Sequence, residues 1–124
     1  MLKNIKIIKT GIDPEPFIKR VYDNWSDWDW VSKQQNIGGD KDPYGFLPLV
    51  WAKVKEGDNP KDTNFLEQTP LFEHYPEVIN FWKKNKIRSL GRAAFFKLEP
   101  GGIVQRHIDE GKYYLTRDRY HLSL

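Results

Sequence analysis

The fold of this chain is decided by residues 92–124, which read RAAFFKLEPGGIVQRHIDEGKYYLTRDRYHLSL. Apolar and polar residues alternate through much of this stretch, and a period of two is typical of β-strands. The alternation predicts strands over residues 92–99, 103–109 and 119–124. A Pro-Gly-Gly turn at residues 100–102 separates the first two strands. Because a tight turn joins neighbours in a sheet, these two strands are expected to lie side by side.

The chain upstream of this stretch has a helical period. Phe17, Val21 and Trp25 follow one another at four-residue steps, which places them on one face of a helix. Asp13 and Pro14 precede them and suit an N-cap and a first helical position. We therefore expect a helix that runs to about residue 24.

Three further segments complete the predicted arrangement. Residues 76–85, PEVINFWKKN, begin with a proline and predict a second short helix. Residues 2–9, LKNIKIIK, and residues 46–54, FLPLVWAKV, are strand candidates. Pro48 weakens the second of these, because proline in a sheet belongs on an edge or at a bulge. Helices followed by closely spaced strands predict a mixed α+β protein, with helices packed against a sheet or barrel.

Length and composition indicate a single domain over residues 1–124. A chain of 124 residues can bury one hydrophobic core, and 39% hydrophobic with 30% charged residues is ordinary for a globular protein. Aromatic residues make up 15%, and all five Trp precede residue 83. We therefore predict a mainly helical, aromatic-rich preface over residues 1–90 and core strands over residues 91–124.

The sequence also bears on location and on charged partners. It contains no apolar run long enough to span a bilayer, no signal-peptide pattern at its start and no Cys, so a reducing cytoplasm is expected. Much of the positive charge lies in residues 83–92, KKNKIRSLGR. Lysines in the last turn of a helix are one interpretation. A nucleic-acid footprint that uses Phe81 and Trp82 for base stacking is the other, and we consider it the less favoured.

His107 and Asp109 form a candidate metal site. Residues two apart in a strand point the same way, so an imidazole and a carboxylate would converge on one point. They are two of the three ligands of the 2-His-1-carboxylate triad that binds Fe(II) and leaves open coordination positions. The same spacing also occurs as a surface pair or as a salt-bridged histidine, and the spacing alone leaves these alternatives open.

Arg119 and His121 form a candidate anion site on the predicted strand 119–124. They share one face, and Tyr120, Leu122 and Leu124 share the other. An Arg and a His that face inward need an anion to pair with, and a guanidinium suits a carboxylate. If the polar face is instead solvated, no anion is required, and the spacing does not separate these readings.

Three elements together resemble a known family. They are the turn at Pro100 and Gly101, His107 seven residues after that proline, and the Arg-x-His-Leu-x-Leu pattern of residues 119–124. In this combination the stretch resembles the core of the aspartyl/asparaginyl β-hydroxylase family of Fe(II)- and 2-oxoglutarate-dependent dioxygenases. The resemblance covers about a quarter of the chain.

The resemblance implies a double-stranded β-helix, or jelly roll, with N-terminal helices packed on the sheet. It implies that His107 and Asp109 bind Fe(II) and that Arg119 and His121 line the pocket for 2-oxoglutarate or substrate. The implied reaction uses O2 to hydroxylate a peptidyl residue or a small molecule. His74, in LFEHYPEV, is the only other histidine and is interpreted as a surface or capping residue.

The sequence also departs from the family pattern. The family has a second metal-binding His and a co-substrate Arg downstream of the strand matched by residues 119–124, and this sequence ends before both. We therefore expect the chain to be the N-terminal part of a longer reading frame, with an incomplete jelly roll, poor iron affinity and little activity alone. Open sheet edges would then favour a homo-oligomer. A non-catalytic interaction module of the same fold is the main alternative.

Overall fold

The computed structural model describes residues 7, 9–30, 44–53, 55–59, 61–85, 90–101, 111–115, 117 and 119–124. In chain order these form α1 (Glu15–Asp23), a 3₁₀ turn (Trp25–Asp29), β1 (Tyr44–Ala52), β2 (Leu66–Gln68), a second 3₁₀ turn (Phe72–His74), α2 (Pro76–Lys84), β3 (Ala93–Leu98) and the single-turn α3 (Lys112–Leu115). The protein is therefore mixed α+β, as the sequence predicts. Every helix in these ranges is too short or too polar to cross a bilayer.

Both predicted helices are present, and their starts have the expected chemistry. The carboxylate of Asp13 accepts a hydrogen bond from the backbone N–H of Glu15 at 3.1 Å, and Pro14 sits at the helix entrance. Phe17 is buried on the inner face of α1. Helix α2 begins at Pro76, where a missing N–H costs nothing, and has Lys83 and Lys84 in its last turn.

The three strands form one antiparallel sheet in the order β2-β1-β3. Strand β1 is thus central and still contains Pro48. The register with β3 shifts between Pro48 and Val50, which marks a bulge at the proline. The carbonyl of Pro48 accepts a hydrogen bond from the Thr69 hydroxyl at 2.7 Å. Of the two positions expected for Pro48, an edge strand or a bulge, the structure has the bulge.

Two parts of the predicted arrangement need correction. The central strand β1 and the short β2 lie within residues 1–90, so this part is more than a helical preface, and β2 was not anticipated. Residues 119–124 have no regular secondary structure and are exposed, so the strand predicted there is not present. Alternation yields a strand only where a neighbouring strand accepts its hydrogen bonds, and the tail instead places Tyr120 against Trp82, with 6.3 Å between ring centroids.

Two other predicted strands cannot be compared with the structure. The strand at 103–109 lies outside the described residues. Most of residues 2–9 also lie outside them, and Ile7 and Lys9, which are described, are not in a strand. The described strands form a single sheet, so they are compatible with a jelly roll without confirming one.

The core lies between the sheet and the segment that follows β2. Its fully buried residues are Leu47 and Leu49 of β1, Leu71 and Tyr75. Seven partly buried hydrophobic residues surround this group: Val21, Trp28, Trp30, Phe72, Val78, Ala93 and Phe95. Burial of these side chains is the main source of stability, at roughly 1.5–3 kcal/mol for each fully buried large apolar side chain.

A second set of aromatic residues lies away from this core. Phe46 of β1 is 4.7 Å from Trp51 and 5.4 Å from Phe96 of β3, between ring centroids. We call Phe46, Trp51 and Phe96 the aromatic face. Phe96 is 60% exposed. An apolar sheet face that is only partly covered is one to which a further layer can be added.

Candidate functional site

The two predicted metal ligands, His107 and Asp109, lie outside the described residues. The structure instead describes what comes before and after them. Strand β3 and the turn after it form the upstream flank, and residues 111–115 form the downstream flank. These two flanks fix where the segment that carries His107 and Asp109 begins and ends.

The upstream flank ends in the turn predicted at Pro100 and Gly101. Gly101 has φ of 79°, in the left-handed region that favours glycine. Strand β3 enters this turn from a paired position, because Leu98 lies opposite Tyr44 of β1. The sheet therefore fixes the direction in which the chain leaves β3.

The downstream flank is anchored by the loop at residues 61–63. Gly111 has φ of 114°, and a Cβ atom there would collide with the backbone carbonyl oxygen of Lys61. The same carbonyl accepts a hydrogen bond from the backbone N–H of Tyr113 at 3.2 Å. The carboxylate of Asp62 accepts one from the backbone N–H of Lys112 at 2.9 Å. Glycine at position 111 is thus required by both backbone conformation and close approach.

Tyr113 joins the two flanks. Its buried hydroxyl accepts a hydrogen bond from the backbone N–H of Arg92 at 2.7 Å, just before β3 begins. The guanidinium of Arg92 lies over the Tyr113 ring, with Cζ 4.0 Å from the centroid. Gly91 gives the hydroxyl room, because a Cβ atom there would collide with it. The chain that leaves the far end of β3 therefore returns, at residue 113, to the start of β3.

Positive charge is concentrated around this flank. The Cζ atom of Arg117 lies 5.1 Å from the Tyr113 ring centroid, and that of Arg119 lies 5.0 Å from the Tyr114 ring centroid. The two tyrosine rings are themselves 5.3 Å apart and nearly perpendicular. The guanidinium of Arg92 also donates to the Tyr114 hydroxyl and to the Thr63 carbonyl, each at 3.4 Å. The cluster has the charge that an anionic ligand needs.

Arg119 and His121 are not in the inward-facing position that the sequence suggests. Both are exposed, and both belong to the irregular segment at residues 119–124. Arg119 contacts Tyr114 as described above, whereas His121 lies farther along the exposed tail. These residues therefore do not form a strand with a polar face toward a pocket. Their role in binding stays a prediction.

His74 belongs to a small polar cluster that the sequence did not reveal. Its Nδ1 atom lies 2.8 Å from Oδ2 of Asp27, which also accepts a hydrogen bond from the Tyr75 hydroxyl at 3.0 Å. Asp27 and Tyr75 are buried, and the His74 side chain is 45% exposed. Burial first, and then the charge and hydrogen bond of Asp27, raise the pKa of Tyr75 well above its usual range. The cluster holds the second 3₁₀ turn against the first.

Asp27 is the member of this cluster that sequence reasoning missed. It lies among tryptophans in WSDWDW, and a carboxylate between large apolar residues signals a buried acid that requires hydrogen-bond donors. Across the described residues, no group of three or more His, Asp or Glu side chains is arranged to hold a metal ion. The interpretation of His74 as a surface or capping residue stays a prediction.

The two rings considered for nucleic-acid stacking are engaged within the protein. Phe81 packs edge-on against Phe17, with centroids 5.7 Å apart, and Trp82 contacts Tyr120. Both rings are partly buried. A stacking platform needs an open ring face, so these contacts do not favour that use.

Comparison of the chain with protein-family models, with curated proteins and with solved structures gave no match.

Proposed function

We propose that this chain contributes to an Fe(II)- and 2-oxoglutarate-dependent dioxygenase that hydroxylates a peptidyl residue or a small molecule. The observation that carries the proposal is the placement of the two flanks. Gly101 follows the C-terminal end of β3, and Tyr113 is bonded to Arg92 at its N-terminal end. An antiparallel strand over residues 103–109, carrying His107 and Asp109, needs its ends at these two places.

The aromatic face supports the jelly-roll part of this proposal. A jelly roll consists of two sheets packed face to face, and each sheet covers the apolar side of the other. Within the described residues the core covers one side of the sheet. On the aromatic face, Phe46 contacts both Trp51 and Phe96, and all three side chains stay partly exposed. A second sheet would bury Phe46 and Phe96, the directly opposed pair of β1 and β3.

The charged cluster supports the anionic co-substrate. Arg92, Arg117 and Arg119 stack on Tyr113 and Tyr114 in the segment that follows the predicted ligands. 2-Oxoglutarate carries two carboxylates, and guanidinium groups bind carboxylates well. For His121 to take part, the exposed tail at residues 119–124 has to move toward the sheet. The absence of Cys from all 124 residues leads us to include a cytoplasmic location in the proposal.

Metal-dependent thermal stabilisation tests the proposal. The purified chain is heated with and without Mn(II), which replaces oxidation-prone Fe(II), in the presence of an inert 2-oxoglutarate analogue. Because two ligands alone are expected to bind the metal weakly, metal and analogue are added at millimolar concentration. We then expect a small rise in the melting temperature of the wild-type chain, and the rise to disappear in His107→Ala and in Asp109→Ala. His74→Gln is the matched control, since it removes a histidine outside the predicted site and should keep the rise.

Two results would overturn the proposal. The first is a rise of equal size in His107→Ala, because the metal would then bind elsewhere. The second is no rise in the wild-type chain at millimolar metal and analogue. That second result would favour the non-catalytic interaction module of the same fold.

A further inference from the structure

A cavity of about 300 Å³ opens beside β2. The residues that line it include Trp30, Trp51 and Pro70. Glu67 and Gln68 supply exposed polar groups. This volume is at the lower end for small-ligand sites, and a size of this order suits a compact organic group.

The sheet register explains why an indole and a carboxylate meet here. Trp51 of β1 lies directly opposite Glu67 of β2. Directly opposed residues of an antiparallel pair project from the same face, with Cβ atoms only about 5 Å apart. Trp30 reaches the cavity from the end of the first 3₁₀ turn and is held by packing against the core. The two rings therefore belong to separate, well-supported elements.

The carboxylate of Glu67 is available to a ligand. Its ion pair with Lys53 Nζ is long at 3.9 Å, and both side chains are more than half exposed. Exposed pairs of this kind contribute at most about 1 kcal/mol. The hydroxyl of Thr69, which also lines the cavity, is occupied, because it donates to the Pro48 carbonyl and accepts from the Leu71 N–H. Glu67 thus provides the only negative charge among the residues that line this cavity.

The ring of Trp51 already has two partners within the protein, Phe46 and Arg92, so a ligand cation in the cavity would share this ring with them. The guanidinium of Arg92 lies with Cζ 5.2 Å from the Trp51 ring centroid. Indole is the best cation–π partner among the side chains, and cages of aromatic rings with a carboxylate are suited to alkylated ammonium ions. The methyl groups of such an ion would contact the apolar walls, and its charge would face Glu67. A neutral ligand of the same size, such as a sugar, would form no ion pair with Glu67.

We propose that this cavity binds an alkylated ammonium ion. The ion is either a free quaternary ammonium compound or the methylated side chain of a lysine in a peptide. Both present the same compact, poorly hydrated cation to Trp30, Trp51 and Glu67. The inference uses neither the metal ligands nor the co-substrate of the proposed dioxygenase. It does share Trp51 with the aromatic face, so it requires that a second sheet leave the β2 side of that face open.

Titration calorimetry or ligand-observed NMR on the full chain tests the inference with four probes. Choline is compared with 3,3-dimethylbutanol, which has the same shape and no charge, and we expect the alcohol to bind about tenfold more weakly. A peptide with trimethyllysine is compared with the same peptide carrying unmodified lysine. If the methylated peptide binds more tightly than choline, the natural ligand is a lysine side chain, and the reverse order indicates a free ion.

Two exposed substitutions provide matched variants. Glu67→Gln should weaken choline binding about fivefold, while Glu73→Gln, which removes an exposed carboxylate outside the cavity, should leave it unchanged. Lys53→Gln should leave choline binding equal or tighter, since it removes a competing cation. Equal binding of choline and its neutral analogue would overturn the inference, as would unchanged choline binding in Glu67→Gln.

Discussion

Replacing Gly111 with alanine tests whether the segment after the predicted metal ligands is held by the loop at residues 61–63. At φ of 114° an alanine is strained by its own backbone. Its Cβ atom would also collide with the Lys61 carbonyl oxygen, which is backbone and cannot move as a flexible side chain would. The substitution must therefore displace either the loop or the segment at residues 111–115.

The structure sets the size of the effect. Backbone strain alone costs about 1–2 kcal/mol. Displacement would also break two hydrogen bonds, from Tyr113 N–H to the Lys61 carbonyl and from Lys112 N–H to the Asp62 carboxylate. Each contributes about 0.5–1.5 kcal/mol to stability. We therefore expect Gly111→Ala to lower the free energy of unfolding by about 2–5 kcal/mol.

Gly57→Ala is the matched control. Gly57 also has a positive φ, 84°, but nothing lies within 4 Å of a Cβ atom built there. It reports the strain and the loss of unfolded-state entropy without the collision. Urea denaturation followed by tryptophan fluorescence measures both variants, with the slope of unfolding checked for constancy. Equal destabilisation by the two substitutions would refute the anchoring role of the 61–63 loop.

Three further predictions use the same denaturation measurement. The guanidinium of Arg20 donates hydrogen bonds to Glu77, at 2.7 Å for the shortest, and lowers the pKa of Glu77 below its ordinary 4.5. The stabilisation from this pair is complete above that value and is lost as the pH falls through the folded pKa. Glu77→Gln should therefore make the free energy of unfolding fall less steeply at acid pH, and an unchanged fall would contradict this. Tyr75→Phe removes a buried donor to the Asp27 carboxylate and should cost about 1.5–3 kcal/mol, whereas a neutral effect would show that the contact is dispensable. Leu47→Ala, at a fully buried position, should cost about 2–5 kcal/mol, and a loss below 1 kcal/mol would place Leu47 outside the core.

The local elements of the fold were predictable where short-range chemistry specifies them. Asp13 and Pro14 start α1 and Pro76 starts α2, because capping and a fixed proline φ act within a few residues. Pro48 predicted either an edge strand or a bulge, since proline cannot donate to a ladder, and the central position of β1 decided for the bulge. Strand β2 has only three residues and no pattern of its own, so its pairing with β1 could not be read from the sequence.

The candidate site was predictable only in part. The turn at Gly101 follows from local chemistry, and the His107–Asp109 pair from the two-residue period of a strand. The contact between Tyr113 and Arg92 could not be foreseen, because it joins positions 21 residues apart. Residues 119–124 show the opposite case, in which a clear alternation is not realised as a strand in the structure. Alternation states which side chains could share a face, and a neighbouring strand must still supply hydrogen bonds.

The sequence by itself determined the α+β class, the starts of the two main helices, the strand at residues 93–98 and the turn that follows it. These features depend on interactions between residues near one another in the chain. Only the tertiary structure decided that β1 is the central strand, that Asp27 is buried beside His74 and Tyr75, and that Trp30, Trp51 and Glu67 line one cavity. Each of those outcomes brings together residues that are distant in sequence, and the free energy of burying them against one another selects the arrangement from many with the same local pattern.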